Sequence, residues 1–238
     1  HFPTMEGDPA FWKPTGADVR KFQSANLVLL NGASYAKWTG QASLPDSKSV
    51  NTGAAFADQF IVEKENAAHH HGQAGEHSHA GTAFTTWLDF QQAQQQAAAV
   101  HRALANLLPT HGDTLGNNFA ALQLDLTSLN SELRGIAADL GDTPLLGSHP
   151  VYQYLARGYD LNIRSVHWEP NAMPAAEDWA ELAELRKTHP ARVMLWEDAP
   201  DKSIVAELKA QAIRSVVFAP CANRSGNGTD DWLTVMRA

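Results

Sequence analysis

The side chains of this chain best suited to hold a metal ion are histidines and a carboxylate that follow short apolar segments. His149, His167 and Glu197 each stand at or just past the end of such a segment. Because the carboxyl ends of parallel strands share one rim of a sheet, where open α/β sheets bind ligands, the three side chains are predicted to converge. Two or three imidazoles and a carboxylate suit Zn²⁺ or another late first-row metal better than Mg²⁺ or Ca²⁺. Such ligands must be deprotonated, so affinity would fall with pH.

Five further imidazoles stand in the segment 64–82, whose polar composition predicts a loop rather than a packed element. Since these five fall within eleven residues, weak metal capture by the segment is nearly unavoidable chemistry. They are His69, His70, His71, His77 and His79.

Each of these side chains also has an interpretation without metal. A histidine at a strand end is more often a hydrogen-bonded structural residue than a ligand, and this interpretation is favoured for His167 and Glu197. His189, in a turn context, is expected to be solvated. Four tryptophans neighbour rim positions and would suit an organic ligand or a metal chelate, although packing in the core or between lobes is favoured for them. They are Trp12, Trp87, Trp168 and Trp196.

Composition restricts the classes of function. The 238 residues carry a net charge of −8, with 44% hydrophobic and 18% charged residues, as in ordinary globular proteins. Without a basic run, nucleic acid is not expected as a partner. Cys221 is the single cysteine, which excludes an intramolecular disulfide and a thiolate cluster. No apolar stretch approaches the roughly 20 residues of a membrane span. The start at His1 lacks a signal peptide, so a processed or truncated N-terminus is expected.

Hydrophobic periodicity divides the chain into three regions: an α/β region over residues 1–87, a helical region over residues 88–140 and a second α/β region over residues 141–238. In the first of these, a helix start signal at 14–18 precedes a short apolar strand at 26–31. A helix followed by a buried strand is the α/β pattern.

The helical region is predicted to form one helix near 88–107 and a longer one near 114–139, long enough to cross a domain. Its apolar stripe is predicted at Leu122, Leu124, Leu126, Leu129, Leu133 and Ile136. The last region alternates predicted strands at 144–147, 163–167, 192–196 and 215–218 with helices at 151–157, 176–187, 202–211 and 230–236.

Several segments match one family pattern in order along nearly the whole chain. Residues 147–161 are similar to T/S-H-D-A-F-x-Y-x-A-x-x-Y-G-L, with Pro150-Val151-Tyr152 in place of Asp-Ala-Phe. Residues 7–18 resemble G-x-D-P-H-x-Y-x-P-T-x-x-D, and residues 25–32 resemble A-D-L-V-x-x-N-G. Residues 85–90 resemble H-x-W-L-D-P, residues 196–198 resemble F-x-E, and residues 218–220 resemble L-D-P. The chain thus resembles the zinc- and manganese-binding (cluster A-I) solute-binding proteins of metal ABC importers. This resemblance implies two Rossmann-like α/β lobes joined by a long backbone helix, with the N-terminal lobe incomplete.

The resemblance also implies that most of the family's metal ligands are replaced in this chain. Its two other ligand histidines fall on Ala10 and Thr85, its carboxylate falls on Ala219, and His149 alone remains. Because a zinc site takes about four ligands, a rebuilt set is expected. The candidates for it are His149, His167, Glu197, and His77 or His79, whose loop is long enough to reach the space near Thr85.

Three hypotheses for the function follow. The resemblance implies an extracytoplasmic, monomeric solute-binding protein, not an enzyme, that captures zinc, manganese or a similar divalent metal in the interlobe cleft for an ABC importer permease. The alternative is the same fold with a metal chelate or small organic ligand against the tryptophans. A metal-assisted hydrolase with Glu197 or Glu169 as general base is the weaker alternative, since the sequence has no nucleophile elbow and no His-Glu-x-x-His helix.

Overall fold

The computed structural model describes residues 10, 12–63, 81–221 and 231–237. The chain divides into two compact units, His1–Trp87 with Gln91–Leu126 and Leu88–Phe90 with Thr127–Ala238. We call them the N-terminal unit and the C-terminal unit. Within the described ranges, no helix is long and apolar enough to cross a membrane.

The N-terminal unit begins with the predicted helix and strand. Helix α1 (Gly16–Ser24) is followed by β1 (Val28–Leu30), so both predictions are confirmed. A capping box starts α1: the Asp18 amide donates to the Thr15 hydroxyl (3.3 Å), and the Thr15 amide donates to the Asp18 carboxylate (3.1 Å). These bonds satisfy amide groups that the first turn of a helix leaves without partners.

The described strands of this unit form two small sheets. Strand β1 pairs in parallel with β2 (Ser49–Asn51), and β3 (Val62–Glu63) pairs antiparallel with β4 (Gly81–Thr82). The loop predicted at 64–82 is therefore wrong at its last two residues, which form a strand ladder. The remainder of that segment, with all five of its histidines, lies outside the described residues.

Two helices follow at the predicted places, α2 (Phe90–Leu107) and α3 (Gly112–Leu140). Residues of α3 belong to both units, as expected for an element that joins two lobes. The predicted stripe is partly wrong: Leu126 and Leu129 are buried, whereas Leu124 is 74% and Ile136 is 55% exposed. At 100° per residue, Leu124 points about 200° away from Leu126, so one helix face cannot bury both.

The C-terminal unit is one parallel sheet with helices between its strands, as predicted. Its strands pair in the order β6-β5-β7-β8, and every pair is parallel. The chain passes from β5 to β6 on one side and then to β7 on the other, so the topological switch point lies between β5 and β7. The elements are β5 (Leu145–Gly147), α4 (Gln153–Tyr159), β6 (Ile163–Ser165), α5 (Ala176–Thr188), β7 (Val193–Trp196), α6 (Lys202–Ala210), β8 (Arg214–Val217) and α7 (Trp232–Arg237).

The prediction of a mixed α/β fold with parallel sheets and a long helix is therefore confirmed. Element ends differ from the predicted ones by one or two residues, and one of these differences bears on the site: β6 ends at Ser165 rather than at His167, so His167 lies two residues past the strand. His189 is also not solvated as expected. It is buried, and its Nε2 lies 2.8 Å from the carbonyl oxygen of Leu145, because the end of α5 meets the start of β5.

The core of the C-terminal unit contains two of the tryptophans predicted to neighbour the rim. Trp168 and Trp196 are 3% and 0% exposed. Their rings pack against each other at 6.5 Å, and Trp168 also packs on Trp179 at 4.6 Å. They join an apolar cluster with Leu146, Leu182, Met194, Ile204 and Leu208. Both residues therefore belong to the core, and their role toward an organic ligand stays a prediction.

The other two tryptophans belong to aromatic clusters of the N-terminal unit. Trp12 packs on Phe22 at 6.1 Å and edge-on to Trp38 at 5.8 Å between ring centroids. Trp87 meets Tyr35 edge-on at 5.5 Å. Both Trp12 and Trp87 are half-buried, and their role toward a ligand stays a prediction.

Candidate metal centre

The exits of the central strands bring two imidazoles together. His149 lies two residues past β5, and His167 lies two residues past the neighbouring strand β6. Their ring centroids are 5.9 Å apart and their planes meet at 79°. Both residues are half-buried. The pair lies at the carboxyl edge of the sheet, and His149 borders the switch point between β5 and β7, where open α/β sheets bind ligands.

Backbone hydrogen bonds beyond the strand ends hold this pair in place. The amide of Ser148 donates to the carbonyl of Leu195 (2.8 Å), which joins the exit of β5 to β7. On the other side, the amide of Trp168 donates to the carbonyl of Ser148 (2.7 Å), which joins the exits of β5 and β6. The residues adjacent to both imidazoles are therefore fixed by main-chain contacts on both sides of β5.

A close approach at Gly147 shapes the exit of β5. A Cβ atom at this position would lie 2.7 Å from Ser165 Oγ, 3.0 Å from Tyr152 Cδ2 and 3.3 Å from the carbonyl oxygen of His149. Only glycine leaves that space open, so the Tyr152 ring can pack directly on the strand end that precedes His149.

Tyr152 connects the exit of β5 to the exit of the edge strand β8. The side chain is buried, and its hydroxyl donates to the carbonyl oxygen of Phe218 (2.9 Å), one residue past β8. Burial first, and the negative charge of Glu197 second, raise the pKa of Tyr152 far above its usual value of 10.0. The phenol therefore stays protonated at physiological pH. Glu197 directly follows Trp196, the last residue of β7.

Other candidate donors contribute less to this rim. Glu169 is exposed. Burial raises the pKa of the Cys221 thiol, so it stays protonated and is a poor metal ligand near neutral pH. Across residues 12–63, 81–221 and 231–237, no group of three or more His, Cys, Asp or Glu side chains stands close enough to hold a metal ion.

The strand exits of the N-terminal unit carry neutral groups. Ala10 and Thr85, the positions that correspond to family histidines, are buried at 1% and 3% exposure. Gln96 of α2 donates to Asn31 Oδ1 (2.9 Å) and to Thr52 Oγ1 (3.2 Å), which ties α2 to the ends of β1 and β2. We did not predict this network from the sequence, although an asparagine directly after a strand was the available signal.

The structure so defined consists of two α/β units that share one long helix. It superposes on the metal-dependent lipoprotein YcdH from Bacillus subtilis with a TM-score of 0.80 and 18% identity, over 97% of this chain and 84% of that one. It also superposes on Zn(II)-bound AdcA from Streptococcus pneumoniae with a TM-score of 0.80 and 19% identity, over 99% of this chain and 50% of that one. At these identities the likeness establishes the fold.

The sequence assigns the family. Residues 4–238 match the ZnuA family, the periplasmic component A of the zinc-uptake complex, and the chain belongs to this family. Over 215 residues it is 24% identical to the high-affinity zinc uptake system protein ZnuA of Bacillus subtilis (strain 168), with 86% of this chain and 65% of that protein covered. It is 27% identical to a Treponema pallidum (strain Nichols) protein provisionally described as metal-binding, with 87% and 66% covered.

The chain therefore spans just under two thirds of the length of these curated relatives. The family resemblance stated from the sequence is confirmed. The family is described as a component of an uptake complex, which agrees with the prediction that the chain is not an enzyme.

Proposed function

We propose that this chain is the solute-binding component of a metal ABC importer and captures a divalent transition metal, with zinc as the first candidate. The observation that carries the proposal is the pair of imidazoles at the carboxyl edge of the C-terminal sheet, beside its topological switch point, with ring centroids 5.9 Å apart. Imidazole nitrogen is a donor that suits zinc and its neighbours in the first transition row.

The spacing of the two rings is compatible with one shared metal ion. For two imidazoles on a tetrahedral zinc with Zn–N distances of about 2.0–2.1 Å, the ring centroids are expected roughly 5 Å apart. The observed 5.9 Å is within about 1 Å of that expected value, a shift that side-chain torsions can supply. His149 and His167 can thus act as two of the ligands.

The remaining ligands are proposed from the sequence and from the position of Glu197. Its carboxylate, at the exit of β7, would supply an anionic oxygen, and His77 or His79 would complete the set. The loop histidines His69, His70 and His71 would gather metal ahead of the site. The same proposal includes an extracytoplasmic location, a permease partner, a monomeric state and a cargo site in a cleft between lobes. The family description supports it, as does the zinc-uptake role printed for the Bacillus relative.

Zinc titration under chelator competition tests the proposal on the intact chain and on three single variants. His149→Ala and His167→Ala should each weaken the tight site by more than the roughly 10–100-fold typical of outer-shell changes. His111→Ala, an exposed histidine on the segment before α3, is the matched control and should bind like the intact chain. A fourth variant without residues 69–79 reports the contribution of the loop.

If this function is correct, one tight, stoichiometric zinc site is present near neutral pH and depends on both His149 and His167. Binding that is weak, multiple and lost only when residues 69–79 are deleted would refute a site on the rim and leave the loop as the binding element.

A further inference from the structure

Tyr152 occupies an unusual place relative to the proposed site. Its ring packs on Gly147 at the end of β5, while its hydroxyl reaches the carbonyl of Phe218 at the end of β8. Strands β5 and β8 are not neighbours, because β7 lies between them. With neighbouring strands about 4.8 Å apart, the side chain links two exits that are roughly 10 Å apart.

We propose that Tyr152 is a positioning residue of the metal site, which holds the exits of β5, β7 and β8 in one rim. The inference rests on the proposed function, since it concerns how the ligands of that site are arranged. Tyr152 stands three residues after His149, and its backbone carbonyl accepts the amide of Ala156 in the first turn of α4. A shift of the ring would therefore move the turn that carries His149.

The contacts of β8 show what the hydroxyl adds. The main-chain ladder continues to Phe218, whose amide donates to the carbonyl of Trp196 (2.8 Å). The Tyr152 hydroxyl donates to the carbonyl of Phe218 from the exit of β5. Phe218 is thus held by β7 through its amide and by α4 through its carbonyl. Glu197 directly follows Trp196, whose carbonyl accepts the amide of Phe218.

Tyr152 acts on the metal through its neighbours and not as a ligand. The residue is 1% exposed, and its hydroxyl proton is engaged by the carbonyl of Phe218. The loss of the hydroxyl would leave that carbonyl without this donor and release the link between α4 and β8. Outer-shell partners of this kind typically change metal affinity by about 10–100-fold.

Tyr152→Phe tests the inference because it removes one oxygen and keeps the ring. The matched control is Tyr159→Phe, at the other end of α4, whose hydroxyl accepts the amide of Phe90 (3.1 Å) and donates to Asn130 Oδ1 (3.0 Å). Zinc affinity is measured by chelator competition, and Co²⁺ is used as a probe whose visible absorption reports the geometry of its ligands. Urea unfolding of both variants measures the structural cost of each lost hydroxyl.

The expected result is about tenfold weaker zinc binding and a changed Co²⁺ spectrum for Tyr152→Phe, at the low end of the outer-shell range. Tyr159→Phe should lose stability but retain the zinc affinity and the Co²⁺ spectrum of the intact chain. Intact affinity and spectrum in Tyr152→Phe, or equal changes in both variants, would overturn the inference alone. No binding of either metal by the intact chain would overturn the proposed function and this inference with it.

Discussion

Replacement of Gly147 by alanine is a sharp test of how the β5 exit is built. The added Cβ would lie 2.7 Å from Ser165 Oγ, 3.0 Å from Tyr152 Cδ2 and 3.3 Å from the His149 carbonyl oxygen. The serine hydroxyl can rotate away at small cost. The tyrosine ring cannot move freely, because its hydroxyl is bonded to Phe218, and the His149 carbonyl belongs to the main chain.

The magnitude follows from two opposing effects. Overpacking of a well-packed site costs about 1–3 kcal/mol. Alanine also restricts the unfolded chain, which contributes about 0.4–1 kcal/mol in favour of folding. We therefore expect Gly147→Ala to lower the free energy of unfolding by about 1–2 kcal/mol. It should also weaken zinc binding, since the ring and the carbonyl that must shift adjoin His149.

The matched control is Gly135→Ala, in the interior of α3, where a Cβ would meet no heavy atom within 4 Å. Alanine there should raise the free energy of unfolding by about 0.5–1 kcal/mol, because glycine is the poorer helix former. Urea titration of the two variants beside the intact chain measures both values. The reasoning fails if Gly147→Ala is as stable as the intact chain, or if the two variants change stability in the same direction.

Two further predictions concern the helices. Leu129→Ala should lower the free energy of unfolding, measured in urea, by about 2–5 kcal/mol because the Leu129 side chain is 2% exposed. Leu124 is 74% exposed, so Leu124→Ala should change this free energy by less than about 0.5 kcal/mol. Equal costs for the two variants would contradict the assigned face of α3. Hydrogen bonds from Thr15 hold the pKa of Asp18 below its usual 3.8. The cap therefore stabilises α1 above pH 3.8 and loses this contribution as pH falls through the lowered pKa. Asp18→Asn should remove that acid-dependent component of stability, and unchanged pH dependence would refute it.

The site residues that the sequence predicted best are those that follow a strand within a few residues. His149 and His167 each follow a short apolar segment, so a parallel sheet was enough to predict that they meet at one rim. Neighbouring segments could not identify Tyr152 as a member of this rim, because its partner Phe218 lies 66 residues away. The ligand set beyond the two imidazoles stays a prediction for the same reason, since it depends on contacts between distant segments.

The sequence predicted burial only in part. Trp168 and Trp196 stand beside rim residues in the sequence, but side chains alternate between the two faces of a strand, and Trp196 lies on the face that α5 and α6 cover. In α3, leucines at similar spacing were assigned to one stripe, and only the packed structure distinguishes buried Leu126 from exposed Leu124.

Local sequence patterns were sufficient to predict the helices and strands of the C-terminal unit, the two long helices, the α/β class, the family and the two rim histidines. These follow from periodicity, capping residues and motifs, which act over a few residues and need no partner. Three features are visible only in the folded chain: which apolar faces are buried, the 5.9 Å spacing of the imidazoles, and the link that Tyr152 makes from β5 to β8 across β7. Such features depend on strand order and close packing between distant segments, which local sequence patterns do not specify.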